Sequence, residues 1–275
     1  MFYKVATLLP FSLAAYRAKA RYSPPSTAFF YGSPIPVVAL SKFQRVVVEA
    51  ESIDDLGDLR IAGSDVFAYV SVGEAEGWRA TSRSLPEELF LGRNTAWLSR
   101  VADLTQPNWR SYLIEHRIAV LWELGYTGLF LDTLDSYQLV VKSLAEQRAQ
   151  SKALVEIIRA IHRRFPGVKL LLNRGFEVLP KIWPLVVGLV AESLFQSWNP
   201  TTQKYVGVGD SERRWLLTHL NRAHRRYDLP ITVIDYVSPD KPELAQETAR
   251  RIMALGFASW VATPGLDMLA VGVGP

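Results

Sequence analysis

The feature that most constrains this chain is an alternation. Eight short apolar runs, each bounded by Gly, Pro or Asp, are separated by longer amphipathic stretches. The runs are Ala28–Tyr31, Arg45–Glu49, Val66–Val70, Gly128–Asp132, Val168–Leu172, Leu185–Glu192, Ile231–Tyr236 and Ala258–Ala262. Continuous runs of Val, Leu, Phe and Tyr without polar alternation are what strands buried on both faces require. Between them, Asn108–Leu124 carries Trp109, Tyr112, Leu113, His116, Ala119 and Val120 at helical spacing and is followed by Gly125. Ser143–Phe165 stops at Pro166-Gly167, Ser211–Tyr227 stops before Pro230, and Pro242–Leu255 opens on Pro and halts at Gly256, all signals of helix ends. Eight strand–helix units in one series predict an α/β fold, a single-domain (β/α)8 TIM barrel over 28–275, in preference to an open doubly wound sheet. Neither nucleotide-binding glycine pattern occurs, and Gly207-Val208-Gly209, followed by Asp210, reads as a turn.

Composition narrows the chemistry. With 275 residues, 49% apolar side chains and a net charge of only +4, disorder is excluded. The absence of cysteine removes disulfides, thiolate metal sites and cysteine nucleophiles, and the four histidines are too scattered for a zinc motif. No metal and no cofactor are therefore expected, which leaves carboxylates, amides, hydroxyls and aromatic rings. The first twenty residues, MFYKVATLLPFSLAAYRAKA, place Lys4 before the apolar run Val5–Ala15 and end on Ala18-Lys19-Ala20. That is the layout of a signal peptide over 1–20, followed by a linker over 21–27, and it predicts a periplasmic or secreted protein. The run is too short to span a bilayer, so no stable membrane insertion is expected.

A (β/α)8 barrel keeps its chemistry at the C-terminal ends of its strands. Read in order, those ends supply Tyr31, Glu49 with Glu51, Glu74 with Glu76, Asp132 with Asp135, Asn173 with Arg174, Glu192, Asp235 with Tyr236, and Thr263. A carboxylate after a strand is often only a helix cap. Five acidic ends on one rim ask for more, because clustered carboxylates raise each other's pKa. Gly128-Leu129-Phe130-Leu131-Asp132 and Val187-Gly188-Leu189-Val190-Ala191-Glu192 each drive an apolar strand into an acid, which is costly unless the charge is paired or used. The plainer reading is an Asp132–Arg174 ion pair. The functional one is glycosidic bond cleavage, which needs one protonated and one ionised carboxyl. Tyr31, Tyr69, Trp78, Tyr137, Trp198, Tyr236 and Trp260 fall near strand ends, where rings can stack on the C–H face of a sugar. An acidic rim on a basic chain favours a cationic substrate. The Arg213-Arg214 and Arg222–Arg226 cluster reads as a solvated helix face, with no nucleic-acid partner.

Three segments, Tyr69–Glu74, Asp103–Trp109 and Gly128–Tyr137, together with the strand-six glutamate, resemble glycoside hydrolase family 114, and the likeness extends over about residues 28 to 270. The resemblance implies an endo-acting α-1,4-polygalactosaminidase, a cationic amino-sugar polysaccharide as substrate, and an exopolysaccharide export complex as a candidate partner. It also implies catalysis by a strand-four aspartate, here Asp132 or Asp135, and a strand-six glutamate, here Glu192. The expected mechanism is retaining, with Asp132 as nucleophile, Glu192 as acid/base and the carboxyls about 5–5.5 Å apart. Asp135 stands as the alternative nucleophile or as a residue that orients substrate. Tyr31, Glu49, Glu74, Tyr137, Asn173, Trp198, Asp235 and Tyr236 are assigned to amino-sugar binding. The competing function is a non-catalytic polysaccharide-binding module.

Overall fold

The computed structural model describes residues 23–50, 56, 63–77 and 79–271. The predicted signal peptide, residues 21 and 22 of the linker, Glu51 and Trp78 lie outside the described residues. Eight parallel strands form one sheet in chain order: β1 Thr27–Phe30, β2 Arg45–Val48, β3 Asp65–Ser71, β4 Gly128–Asp132, β5 Lys169–Asn173, β6 Val186–Glu192, β7 Ile231–Tyr236 and β8 Ala258–Ala262. β1 and β8 lie side by side, so the sheet closes on itself as a (β/α)8 barrel. β4 shows why these residues become a barrel strand. Gly128 to Leu131 are all buried, Phe130 forms part of the cleft floor, and Asp132 stands at the top in the cleft. A Cβ on Gly128 would sit 2.4 Å from the Phe67 ring and 2.7 Å from the Lys169 carbonyl oxygen, so glycine there lets an aromatic fill the barrel interior. Phe29, Phe130 and Trp260 pack ring against ring in that interior. Trp260, expected near the rim, is core instead, only 2% exposed.

The long predicted helices are present as Leu144–Arg164, Asp210–Tyr227 and Pro242–Ala254. The stretch predicted over Asn108–Leu124 is helical from Pro107 to Glu123, with one π-turn segment over Tyr112–Ile118. The connection after β1 carries a single helical turn, Val37–Leu40, and that after β5 carries the turn Leu179–Ile182 followed by a 3-10 turn over Trp183–Leu185. No described helix is long and apolar enough to cross a membrane.

Two antiparallel insertions rise from the C-terminal rim and were not expected from the sequence. After β3, the strands Glu74–Glu76, Phe90–Asn94 and Ser99–Ala102 form a three-stranded sheet. After β6, Gln196–Asn199 and Lys204–Gly207 form a hairpin. The first insertion is tied to the barrel by the Asp103–Trp109 segment. The indole N–H of Trp109 donates to the Val72 carbonyl oxygen at 3.0 Å, and Gln150 bonds both the Leu104 N–H and the Asp103 carboxylate. That motif is an anchor for the insertion, not part of the catalytic floor.

Candidate active site

Asp132, Asn173, Glu192 and Tyr236 are the last residues of β4, β5, β6 and β7, so adjacent strands deliver them to one point. Asn173 joins the two acids. Its Nδ2 donates to Asp132 Oδ1 at 2.8 Å and to Glu192 Oε1 at 2.7 Å. The hydroxyl of Tyr69 donates to Asp132 Oδ2 at 3.0 Å, and that of Tyr236 donates to Glu192 Oε2. Each carboxylate thus receives two donors, and one amide nitrogen serves both. Bonds of 2.8 and 2.7 Å to a single nitrogen keep the two oxygens within about 5.5 Å of each other at any bond angle.

The backbone bends sharply at this point. Thr133, Arg174 and Ser193, the residues directly after Asp132, Asn173 and Glu192, have φ of 59°, 55° and 65°. Left-handed conformation is costly for non-glycine residues, most of all for a β-branched one, and three successive instances mark a site held against its own backbone preference. Thr133 is held by its side chain, whose Oγ1 accepts the Gly73 N–H at 2.9 Å and lies 2.9 Å from Ser71 Oγ. Gly73 is required for that approach, since a Cβ there would fall 2.2 Å from the Thr133 carbonyl oxygen.

Burial, then the negative charge of Glu192, pushes the Asp132 carboxyl up to about 7, against the pull of its hydrogen bonds. Burial also raises the phenols of Tyr31, Tyr69 and Tyr236, and the neighbouring carboxylates raise them further, so all three remain protonated. Tyr31 sits in the cleft with its ring 5.4 Å from that of Tyr69.

The cleft has a volume of about 670 Å³ and is lined by six carboxylates, Glu49, Glu74, Glu76, Asp132, Asp135 and Glu192, against two guanidinium groups, Arg79 and Arg174. Their charges are not equally available. Arg79 grips Glu49 through two bonds of 3.0 and 2.5 Å and Glu76 through a third of 2.8 Å. Glu74 accepts from Ser99, from Asn94 Nδ2 at 3.0 Å and from Ser136 Oγ at 2.5 Å, which occupies its oxygens with protein donors. Arg174 turns to the Glu192 carbonyl oxygen at 3.1 Å and does not form the ion pair with Asp132 that was the plainer expectation. Asp135 lines the mouth as an exposed loop residue, three positions beyond the dyad's Asp132. Trp198 lines the wall on the second insertion, propped edge-on by Tyr205 at 4.9 Å.

Two expected binding residues are elsewhere. Asp235 is fully buried and does not line the cleft. Its carboxylate accepts the backbone N–H groups of Leu194, Phe195 and Gln196 at 2.6, 2.8 and 2.9 Å, and so shapes the turn that follows Glu192. Being the penultimate residue of β7, it faces away from the side on which Tyr236 meets the cleft. Tyr137 is buried in the helical turn Tyr137–Val140, and its hydroxyl donates to Glu177 at 3.0 Å. Asp235→Ala should therefore destabilise the protein by about 3 kcal/mol or more, because three buried N–H groups lose their acceptor. Urea unfolding checks this, and a midpoint unchanged from wild type would refute the role. Among the lining residues that the sequence reading left out of its site are Tyr69, which bonds Asp132, and Arg79, which binds Glu49. Tyr69 was legible as a strand aromatic, but nothing local to Arg79 announces a partner thirty positions earlier at Glu49.

Comparison with known proteins agrees with this fold. The family model for glycoside hydrolase family GH114 matches residues 13–273. The glycoside hydrolase domain of PelA from Pseudomonas aeruginosa is 40% identical, with a TM-score of 0.82 over 90% of this chain and 98% of that one. Ega3 of Aspergillus fumigatus, solved in complex with galactosamine, shares the fold at 16% identity, with a TM-score of 0.64 over 92% of this chain and 96% of that one. No curated protein matches the chain by sequence.

Proposed function

Since this chain belongs to glycoside hydrolase family GH114 and is a glycoside hydrolase, we propose that it cleaves an α-1,4-linked galactosamine/N-acetylgalactosamine exopolysaccharide internally, with retention of configuration. The substrate class follows its relatives: PelA's hydrolase domain is the similar structure at 40% identity, and Ega3 was solved with galactosamine. The observation that carries the mechanism is the shared amide of Asn173, which holds one oxygen of each carboxylate no more than about 5.5 Å from the other, a closeness that fits the separation of retaining enzymes. Inverting enzymes need about 6.5–9.5 Å to admit a water between acid and sugar.

In the first step a carboxylate oxygen of Asp132 attacks the anomeric carbon. The bond to the leaving oxygen breaks as Glu192 gives that oxygen its proton. In the second step Glu192, now ionised, takes a proton from water. The resulting hydroxide oxygen bonds the anomeric carbon, and Asp132 leaves as a carboxylate. Tyr69 and Asn173 orient the nucleophile, while Tyr236 and Asn173 orient the acid. Asp135 takes no part in the bond-breaking pair, because it lies on the loop and has no bond to the dyad among the described residues. The pair holds one proton near neutral pH. In the free protein Asp132 is the group pushed up, and the ammonium of a bound amino sugar favours its ionised form, the one that attacks. The apolar Val5–Ala15 stretch and the Ala18-Lys19-Ala20 site support export to the periplasm or medium, where an exopolysaccharide export complex would be the neighbour.

The test is reducing-end release and product mass from partially deacetylated α-1,4-galactosaminan. Internal cleavage, seen as early oligosaccharides of mixed length, is expected; binding without shortening would sink the proposal. The rate should also fall as pH rises through about 7, when the dyad loses the proton that the leaving oxygen needs. A kcat/KM that stays level up to pH 9 would contradict that assignment.

A further inference from the structure

Trp97 sits in the turn that joins Phe90–Asn94 to Ser99–Ala102 in the first insertion. Its side chain is 62% exposed, yet it lines the same cleft as the dyad. It has no ring partner and no side-chain hydrogen bond among the described residues. Tryptophan carries the largest apolar surface of any side chain, and leaving most of it in water forgoes burial that a core position would provide.

The turn that carries Trp97 is held in place. Asn94 Oδ1 accepts the Ala96 N–H at 3.2 Å, and Leu98 adopts φ 53° to complete the bend. Asn94 Nδ2 donates to Glu74 Oε1 at 3.0 Å, and Ser136 Oγ donates to the same oxygen at 2.5 Å. The buried Glu74 carboxylate therefore clamps the Trp97 turn to the loop after β4, beside Asp135, whose exposed carboxylate faces the same cleft. Glu74 is a positioning residue, which explains why a cleft carboxylate spends its oxygens on protein donors.

The two insertions follow β3 and β6, three places apart in a ring of eight, and each presents one tryptophan to the cleft: Trp97 on the first, Trp198 on the second. Asp132, Asn173 and Glu192 top β4, β5 and β6, along the arc between these origins. A polymer laid from one ring to the other would cross the dyad.

We propose that Trp97 and Asp135 form a sugar subsite at the cleft mouth that takes an ammonium-bearing pyranose of the same polymer, away from the bond being cut. The ring stacks its C–H face on the indole, and the ammonium pairs with Asp135. This deepens the proposed function and rests on its substrate class.

Calorimetry on the Glu192→Gln protein tests it, with galactosamine monomer and an α-1,4 galactosamine oligomer of about six units. Trp97→Ala should weaken the oligomer about tenfold or more and the monomer less than twofold, and Trp97→Phe should regain most of the loss. Asp135→Asn should weaken the deacetylated oligomer but not its fully N-acetylated counterpart. Trp215→Ala, an exposed tryptophan on the helix Asp210–Tyr227, serves as control and should change neither. Equal oligomer affinity with and without Trp97, or equal losses for monomer and oligomer, would overturn the subsite. The two readings fail separately. Oligomer binding through Trp97 without any cleavage by the wild type sinks the hydrolase mechanism alone, and cleavage with Trp97-independent binding sinks the subsite alone.

Discussion

Asp132→Ala should lose turnover on galactosaminan by about 10³-fold or more and regain part of it with azide, releasing a β-glycosyl azide. The reasoning follows from what each carboxyl does. Without the Asp132 oxygen no glycosyl-enzyme bond forms, but the space it leaves admits a small anion from the same face, and Glu192 still protonates the leaving oxygen. One displacement from an α-linked substrate inverts the centre. Glu192→Ala should lose a comparable factor on the polymer, whose leaving group is a sugar hydroxyl that needs a proton. It should lose far less on an aryl glycoside, whose phenolate departs unaided. Azide then attacks the accumulated Asp132 ester, a second displacement that restores the α configuration. The product stereochemistry therefore assigns the roles independently of any rate. Two β-azides, or azide rescue at Asp135→Ala in place of Asp132→Ala, would overturn the assignment. Circular dichroism on each variant separates lost chemistry from lost fold.

How much of this was legible in the sequence depends on which contacts are local. Barrel strands are read well because a strand buried on both faces must be apolar throughout and must stop where the chain meets water. The limits of β4, β7 and β8 agree with the sequence reading to the residue, and the other five strands to within one. The same logic found Asp132, Asn173 and Glu192, each the first polar side chain at the top of such a run, and Tyr236 at the end of its own. Asp235 shows where it stops. It sits one position before Tyr236, and the two-residue period of a strand sends it to the opposite face, where backbone N–H groups of the next turn await it. The insertions were missed for a different reason. Segments such as Glu74-Ala75-Glu76 and Lys204-Tyr205-Val206-Gly207 are short, the first charged and the second mostly exposed, and their pairing is dictated by the strands opposite, not by any apolar pattern of their own. Trp97 was lost with them. The acidic rim was legible as composition but not as charge, because Arg79 neutralises Glu49 and Glu76 through contacts that only the fold creates.

Asp132→Asn should make the protein more stable, and the gain should grow with pH. An aspartate titrates near 3.9 in an unfolded chain, whereas burial and the charge of Glu192 hold this one up to about 7 in the folded protein. The folded state therefore keeps a proton that the unfolded state releases. Its relative stability is greatest below about pH 4 and declines as pH rises to about 7, beyond which the loss is complete. Three pH units at 1.36 kcal/mol each set an upper bound of about 4 kcal/mol, and relaxation of the site would reduce that to roughly 2–4 kcal/mol. Asparagine has no such proton to lose. It keeps the shape of aspartate and retains an amide oxygen for Asn173. The two proteins should differ little at pH 4, and at pH 8 the variant should melt about 5 °C higher or more. Glu76 and Asp235, also raised by burial, change stability with pH in both proteins alike and cancel in the difference. Parallel Tm curves across that range would mean that Asp132 ionises freely in the fold and that the dyad holds no proton at neutral pH. A widening gap would show that catalysis here is bought with folding energy, since the charge that must attack the sugar is one that the empty site disfavours.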